Sequence, residues 1–511
     1  MRPWALAAVI LAGATPFVAA QRPTPTATLS LGQAIEQALR NSPAYRQTLN
    51  DAGVARWGVR NAYAAAYLPS LSTGGSLSYT GSGSATFGGS FFNQSSPAIS
   101  SGYGINLDWN LSGATLSAPG QQKASQNAIN EDINFASVSL RFDVTFQYLA
   151  TLQSIAQANV ARQQVVRNAE FLNLAQARYQ VGQATILDVK QAQVQKGQAD
   201  VQVLRAEQSE SDARLELFRR MGINAPEAIA AVALSDSFAV AEPTWKLEEL
   251  MTVATEQNPT VRAARARESS AGYAVSAQKS RYLPSLSFSA GWNGFTQQFT
   301  NEGVLLGSAL GSAKGNLANC EFQNGLIRSL PGGGIGGQNG NGTIADCKGF
   351  SGLDATGESL LPGVSNGILA RNSVFPFHFT SQPFRASVQI SLPIFDGFQR
   401  NLSVAQAQAQ RDDAREAVRA RQLQTRTDVQ SRYLAVQTSF KAISVQAANR
   451  EAARDQLRLA QDRYRLGSGS ALEVADAQNN VQRAEGDYVN SVYDYHKAIA
   501  ALELAVGRPL R

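Results

Sequence analysis

The chain has little of what catalysis and metal binding draw on. Of 511 residues, two are histidine, two cysteine and three methionine. His378 sits in a phenylalanine-rich stretch and His496 beside tyrosines in a helical pattern, so surface or packing roles are expected of both. No zinc-ligand spacing, nucleophile elbow or phosphate-cradling loop accompanies them. The run GGGIGGQNGNG from Gly332 lacks the helix start and Lys-Ser/Thr that a phosphate loop requires, and reads as flexible loop. After Met1 only Met221 and Met251 occur, too few to support copper handling. These absences argue against an enzyme, a cofactor and a metal site. Charge is sparse as well: 16% of residues, with a formal net charge of +6 spread along the chain, and no nucleic-acid signature.

Long apolar runs are missing too. Beyond residue 20 nothing approaches the roughly eighteen apolar residues of a spanning helix; GVLLGSALGSA from Gly303 is the longest, and it is short and glycine-rich. The N-terminus differs: Arg2, an apolar run over 4–14 and Val18-Ala19-Ala20 before Gln21 predict a signal peptide over 1–20. No cysteine follows the cleavage site, so no lipid anchor is expected there. Export permits a disulfide, and Cys320 and Cys347, inside one Gly- and Asn-rich stretch without a histidine, are expected to staple it.

What the chain does have is repetition. ARYQVGQATILDV from Ala177 returns, 285 positions on, as DRYRLGSGSALEV from Asp462. NSPAYRQ near Asn41 answers QNPTVRA near Gln257, YLPSLS at Tyr67 answers YLPSLS at Tyr282, Tyr148-Leu149 answers Tyr433-Leu434, and RRMG ending at Gly222 answers LAVG ending at Gly507. The expected organisation is a first repeat over 21–222, a linker over 223–245 and a second repeat over 246–511.

Within each repeat the apolar period switches between two and about 3.6. Leu286, Phe288, Ala290 and Trp292 alternate with Ser285, Ser287, Ser289 and Gly291; Ile105, Leu107, Trp109 and Leu111 alternate with Asn106, Asp108 and Asn110. Strands are predicted over 70–80, 102–112, 285–294 and 386–395, with a long loop over 295–384. Helices are predicted over 34–66, 120–180, 185–220, 248–281, 398–465 and 470–505. Neither proline nor glycine interrupts 121–178 or 399–463, so two helices would each reach about 90 Å at about 1.5 Å per residue. Their narrow Ala-rich stripes suit antiparallel coiled-coil packing.

Each strand has one apolar face and one of Ser, Gly and Asn. A soluble sandwich would carry Lys, Glu and Thr on its wet face and would need a second sheet; a membrane barrel would be apolar toward lipid and polar toward a lumen. In lipid, four strands leave unpaired edges, and closure needs about eight or more, so the chain must oligomerise through its strands.

The paired YLPSLS segments, LPIFDGFQR at the start of a long helix and the two Arg-Tyr turns followed by an acid resemble the TolC family of outer-membrane efflux and secretion channels. The match covers nearly the whole chain beyond residue 20. The resemblance implies a mixed α and β fold, mainly a long α-helical coiled-coil barrel, with four antiparallel strands given to a trimeric 12-stranded transmembrane β-barrel and an internal two-fold repeat. It implies a homotrimer in outer-membrane lipid, a periplasmic helical tunnel, an equatorial position for the linker, and a periplasmic adaptor protein linking the channel to an inner-membrane pump of RND or ABC type. Drug or toxic-compound efflux is the favoured function, with type I protein secretion as the alternative. A periplasmic coiled-coil scaffold would share the helices but lack strands with lipid-like faces.

The two turns carry the candidate site. Gly182 and Gly467 suit the left-handed position that ends a helix, Arg178 and Arg463 lie in last turns where cations offset the dipole, and Thr185 to Asp188 and Ser470 to Glu473 both fit a capping box. Local architecture thus explains much of both phrases without function. Asp476 has no such role: it lies one turn beyond Glu473 on about the same helix face, and its first-repeat counterpart is Gln191. The resemblance implies that Glu473 and Asp476 ring a narrow cation-selective entrance and that Tyr464 and Asp188 help hold it shut. The best-known gate of the family has an arginine where this chain has Gly469 and a threonine where it has Leu187, so that link cannot form here and Tyr464 to Asp188 remains. The turn residues Val181, Gly182, Gln183, Ala184, Leu466, Gly467, Ser468 and Gly469 are expected to meet the adaptor.

Overall fold

The computed structural model describes residues 28–87, 90–227, 232–329, 346–380 and 382–510. The expected signal peptide and the GGGIGGQNGNG run lie outside them. In chain order the strands are β1 (Thr28–Leu29), β2 (Ser70–Thr80), β3 (Gly83–Phe87), β4 (Ser90–Ser95), β5 (Ala98–Leu111), β6 (Ala233–Leu234), β7 (Ser285–Phe299) and β8 (Arg385–Ser391). The helices are α1 (Leu31–Asn41), α2 (Pro43–Tyr67), α3 (Gly113–Gln180), α4 (Ile186–Met221), α5 (Leu247–Gln257), α6 (Pro259–Lys279), α7 (Glu302–Ser329), α8 (Cys347–Phe350), α9 (Pro362–Asn372), α10 (Gln399–Arg465) and α11 (Ala471–Val506). They group into two compact units. One holds residues up to 59, 120–272 and from 407 onward, the other 60–119 and 273–406.

The first unit is helical, and its cores follow the duplication. Val144, Leu217 and Met221 pack in one cluster with Ala38 and Tyr148; Val429, Leu502 and Val506, each 285 positions on, pack in another with Ala254. The helices expected over 34–66 and 248–281 are each broken in two. Ser42 (ψ 120°) and Asn258 (ψ 126°) precede Pro43 and Pro259 and are extended, because a residue before proline clashes in helical space. Each break has a receiver. Gly222 (φ 73°) and Gly507 (φ 88°) end α4 and α11 in the left-handed region. A Cβ would lie 2.7 Å from the Asn41 carbonyl oxygen at Gly222, and 2.9 Å from Pro259 Cδ at Gly507. The matched motifs around Asn41 and Gly222, and around Gln257 and Gly507, are therefore two sides of one contact made once per repeat. The duplicated tyrosines also share a task. The Tyr148 hydroxyl lies 2.9 Å from both the Leu29 carbonyl and Asp236 Oδ2, and that of Tyr433 donates to the Trp245 carbonyl at 3.2 Å, so each ties a long helix to the linker or its pairing strand.

Between these cores and the turns, polar groups set the register of the coiled coil. Glu485, 6% exposed, receives Arg167 of α3 at 3.1 Å and Arg454 of α10 at 3.2 Å. Such a buried charge is tolerable only with both partners in place. His496 is buried against Phe238 and Tyr495, in a packing role.

The second unit contains one antiparallel sheet in the order β2-β5-β7-β8. Its register puts Ser70, Asp108, Ser289 and Ser387 in one row across the polar face, and Leu71, Leu107, Ala290 and Ala386 in a row across the apolar face. The polar row is zipped in part by the Ser289 and Ser387 hydroxyls, 2.7 Å apart. Glycine allows close approach within the sheet: a Cβ at Gly294 would stand 2.3 Å from the Tyr103 ring, and one at Gly291 2.6 Å from the Ile105 carbonyl oxygen. β2 and β8 are the outer strands, with no partner beyond them among the described residues.

Two expectations are corrected in this unit. The return strand predicted over 386–395 stops at Ser391, before Pro393, which has no N–H to donate. The stretch 295–384 is not one long loop: β7 continues to Phe299, and α7, α8 and α9 follow. Cys320 of α7 and Cys347 of α8 are joined by a disulfide, with Cα atoms 5.5 Å apart. All four strand ends at Ser70, Leu111, Ser285 and Ser391 lead to the long helices, while the other ends lead to the β3–β4 hairpin and the disulfide-stapled helices.

Candidate functional site

Both turns are built alike. In the first, the Gly182 amide donates to the Tyr179 carbonyl at 3.0 Å and the Gln183 amide to that of Arg178 at 2.8 Å; in the second, Gly467 donates to Tyr464 at 3.1 Å and Ser468 to Arg463 at 3.0 Å. This is a Schellman ending, which needs the left-handed glycine at φ 75° and 78°. The duplicated arginines clasp these turns from within: Arg178 Nη2 donates to the Gln183 carbonyl at 3.2 Å and Arg463 Nη2 to that of Ser468 at 3.3 Å. The helix-dipole role read from the sequence thus has a hydrogen-bonded form.

Below the turns the four helices pack a common cluster that includes Phe171, Ala175, Val189, Leu457 and Val474. Tyr464 is inside it, 3% exposed. Phe171 lies 5.4 Å from its ring centroid, and the Arg178 guanidinium covers the ring at 4.7 Å. Its hydroxyl has no hydrogen-bond partner among the described residues. Burial, and secondly the Asp188 charge, push its pKa above the ordinary tyrosine value, against the pull of Arg178.

The expected bond between Tyr464 and Asp188 is therefore not made. Asp188 is committed to its cap: its Oδ2 accepts from the Thr185 amide at 2.8 Å and the Thr185 hydroxyl at 2.9 Å, while the Thr185 side chain receives the Asp188 amide. The second turn keeps only half of this box. Ser470 Oγ accepts the Glu473 amide at 3.2 Å, but the Glu473 carboxylate turns to Arg463, 3.6 Å away. Gly469 lies against this pair, and any Cβ there would stand 3.1 Å from Glu473 Oε2 and from the Tyr464 amide nitrogen. The position where the best-known gate has its arginine is thus closed to a side chain unless its neighbours shift. Asp476 is exposed, with neither hydrogen bond nor ion pair to any described residue.

Around the turns Val181, Leu187, Leu466 and Leu472 are exposed aliphatics, Leu466 at 83%. Gly182, Gln183, Gly467 and Ser468 are exposed beside them, with Ala184 and Gly469 half-buried. Sequence reasoning missed the Arg178 stack and the Arg463 to Glu473 pair. The Arg-Tyr dipeptide was a visible signal, but not which ring each guanidinium would find.

In the second unit, Leu71, Leu77 and Tyr79 of β2 and Val388 and Ile390 of β8 are exposed on the apolar face, while the opposite face carries serine, glycine, asparagine, Asp108 and, at the far end of β8, Arg385. From Ser70 to Thr80 β2, rising about 3.4 Å per residue and tilted by about 40°, would cover about 26 Å of a bilayer. Tyr67, Leu68, Tyr282, Leu283, Phe395 and Phe398, all exposed, gather where the strands meet the helices, as the aromatic girdle of a barrel does. No helix among the described residues is long and apolar enough to cross a membrane.

A family model described as outer membrane efflux protein matches residues 34–222 and 354–508. Among solved structures, the chain is similar to the outer membrane protein VceC from Vibrio cholerae (15% identity, 94% of this chain and 97% of that one, TM-score 0.66). It is also similar to a membrane protein from Pseudomonas aeruginosa (20% identity, 94% and 90%, TM-score 0.66) and to the open state of the MtrE outer membrane channel of Neisseria gonorrhoeae (18% identity, 94% and 89%, TM-score 0.63). No curated protein matches it in sequence. At these identities the structures establish the fold, and the family match extends over most of the chain. The chain belongs to the outer membrane efflux protein family.

Proposed function

We propose that three copies of the chain form an exit duct through which an inner-membrane pump expels drugs or other toxic compounds. The observation that carries this reading is the four-stranded sheet, apolar on one face and polar on the other, whose outer strands β2 and β8 each keep one edge without a partner among the described residues. Bare strand edges in lipid are costly, and three sheets of four strands joined edge to edge close a barrel of twelve. The exposed aliphatics Val181, Leu187, Leu466 and Leu472 of the helical turns then offer a periplasmic adaptor protein its docking points. Glu473 and Asp476 line the entrance there and bias it toward cations. The pump, of RND or ABC type, selects the cargo.

Deleting the gene and measuring drug susceptibility together with the proteins released to the medium separates the two uses of such a duct. Susceptibility that rises and is restored by the intact gene supports efflux. Unchanged susceptibility with loss of one secreted protein assigns the chain to type I secretion instead.

A further inference from the structure

The contact between Arg178 and Tyr464 joins the first turn to the second, and its mirror image within the sequence is left unmade. Tyr464 corresponds to Tyr179 and Arg178 to Arg463, each 285 positions apart. Tyr464 is 3% exposed under its guanidinium, whereas Tyr179 is 47% exposed and has no ring or cation over it among the described residues. Arg463 clasps the Ser468 carbonyl as Arg178 clasps that of Gln183, so both guanidiniums are held at the same place relative to their own turn. The ion pair of Arg463 with Glu473 is 3.6 Å long, between side chains 59% and 45% exposed, and such pairs hold a side chain weakly.

If turns of the two repeats alternate around a ring, the step from a first turn to the second turn of the same chain is matched by the step from a second turn to the first turn of the next chain. We propose that the two Arg-Tyr dipeptides are alternate links of that ring: Arg178 over Tyr464 within a chain, and Arg463 over Tyr179 of the partner subunit between chains. This inference rests on the trimer of the proposed function. The two links are not equal. Phe171, which backs Tyr464, corresponds to Gln456, which is hydrogen-bonded to Asn480 at 3.3 Å. The link between chains therefore lacks an aromatic floor, and it is the weaker of the two.

The test uses the full chain purified in detergent, with p-benzoylphenylalanine in place of Tyr179, an aromatic exchange at an exposed position. Irradiation should give covalent dimers and trimers on denaturing gels, and the adduct should map to the peptide bearing Arg463 of another chain. A particle that light scattering reports as a trimer, but whose adducts stay within one chain or fall on another helix, overturns the link and leaves the trimer standing. A monomeric particle overturns both. As a second measurement, Tyr179→Ala, Arg463→Ala and the double variant are compared for trimer dissociation. Each single change should speed dissociation roughly two- to fivefold per contact, and the double change no further. Effects that multiply refute the pairing, since side chains that do not touch act independently.

Discussion

On the proposed reading, ion preference at the entrance turns on three side chains per chain, and their charges predict a sign as well as a size. Arg463 and Glu473 pair at 3.6 Å, while Asp476 stands one turn on with no counter-charge. The local sum is one negative charge per chain. In water a unit charge about 6 Å from a passing ion contributes about 0.7 kcal/mol. Screening at physiological salt roughly halves this. Three copies then give about 1 kcal/mol, or about a fivefold preference for cations. Asp476→Asn brings the local sum to zero and should abolish the preference. Glu473→Gln should do the same, although Asp476 remains, because it unmasks Arg463. The double variant leaves only Arg463 and should invert the preference toward anions, and Arg463→Gln should strengthen it toward cations. Reversal potentials in planar bilayers under a potassium chloride gradient read all four. A double variant that remains as cation-selective as the unaltered protein would show that the preference is set elsewhere.

Three further outcomes follow from the packing. Tyr464→Phe removes a buried hydroxyl without a partner, so it should be neutral or stabilising by about 1 kcal/mol in denaturant melts; loss of more than that would mean the hydroxyl is bonded in the assembled protein. Because burial raises the Tyr464 pKa, its contribution is fully present below the ordinary tyrosine value and is lost as pH rises through the higher folded one; alkaline loosening of the turns, followed by proteolysis above about pH 10, should be smaller in Tyr464→Phe. Gly507→Ala forces a left-handed alanine with its Cβ 2.9 Å from Pro259 Cδ, and should cost at least about 2 kcal/mol. Reducing Cys320–Cys347, which are 27 positions apart, should cost about 3–4 kcal/mol of local stability by loop entropy. The change should appear as proteolysis confined to 302–372 while bilayer conductance persists.

The duplication was the most legible feature, because a contact made once per repeat leaves two matched motifs. The glycines at 222 and 507 and the prolines at 43 and 259 stand in matched motifs, but the helix breaks at Ser42 and Asn258, which each glycine packs against, did not show in the helices expected over 34–66 and 248–281. The strands were legible through an apolar face and a polar face alternating along their length, clearest over 285–293 of β7. What misled was local propensity. Gly303, Gly307, Gly311 and Gly315 recur every fourth residue, each costing a helix about 1 kcal/mol against alanine, yet they lie inside α7. The turn acids misled in another way: a capping box and a gate carboxylate demand the same residue at the same spacing, so only geometry could show Asp188 held by Thr185 and Glu473 turned to Arg463.

The central claim, that the outer edges of β2 and β8 close a barrel with other copies, is tested most directly by the mass and origin of the particle. Fractionation followed by light scattering should find the protein in outer membranes, released only by detergent, with a protein mass of three chains. A soluble monomer recovered from periplasmic extract would contradict it.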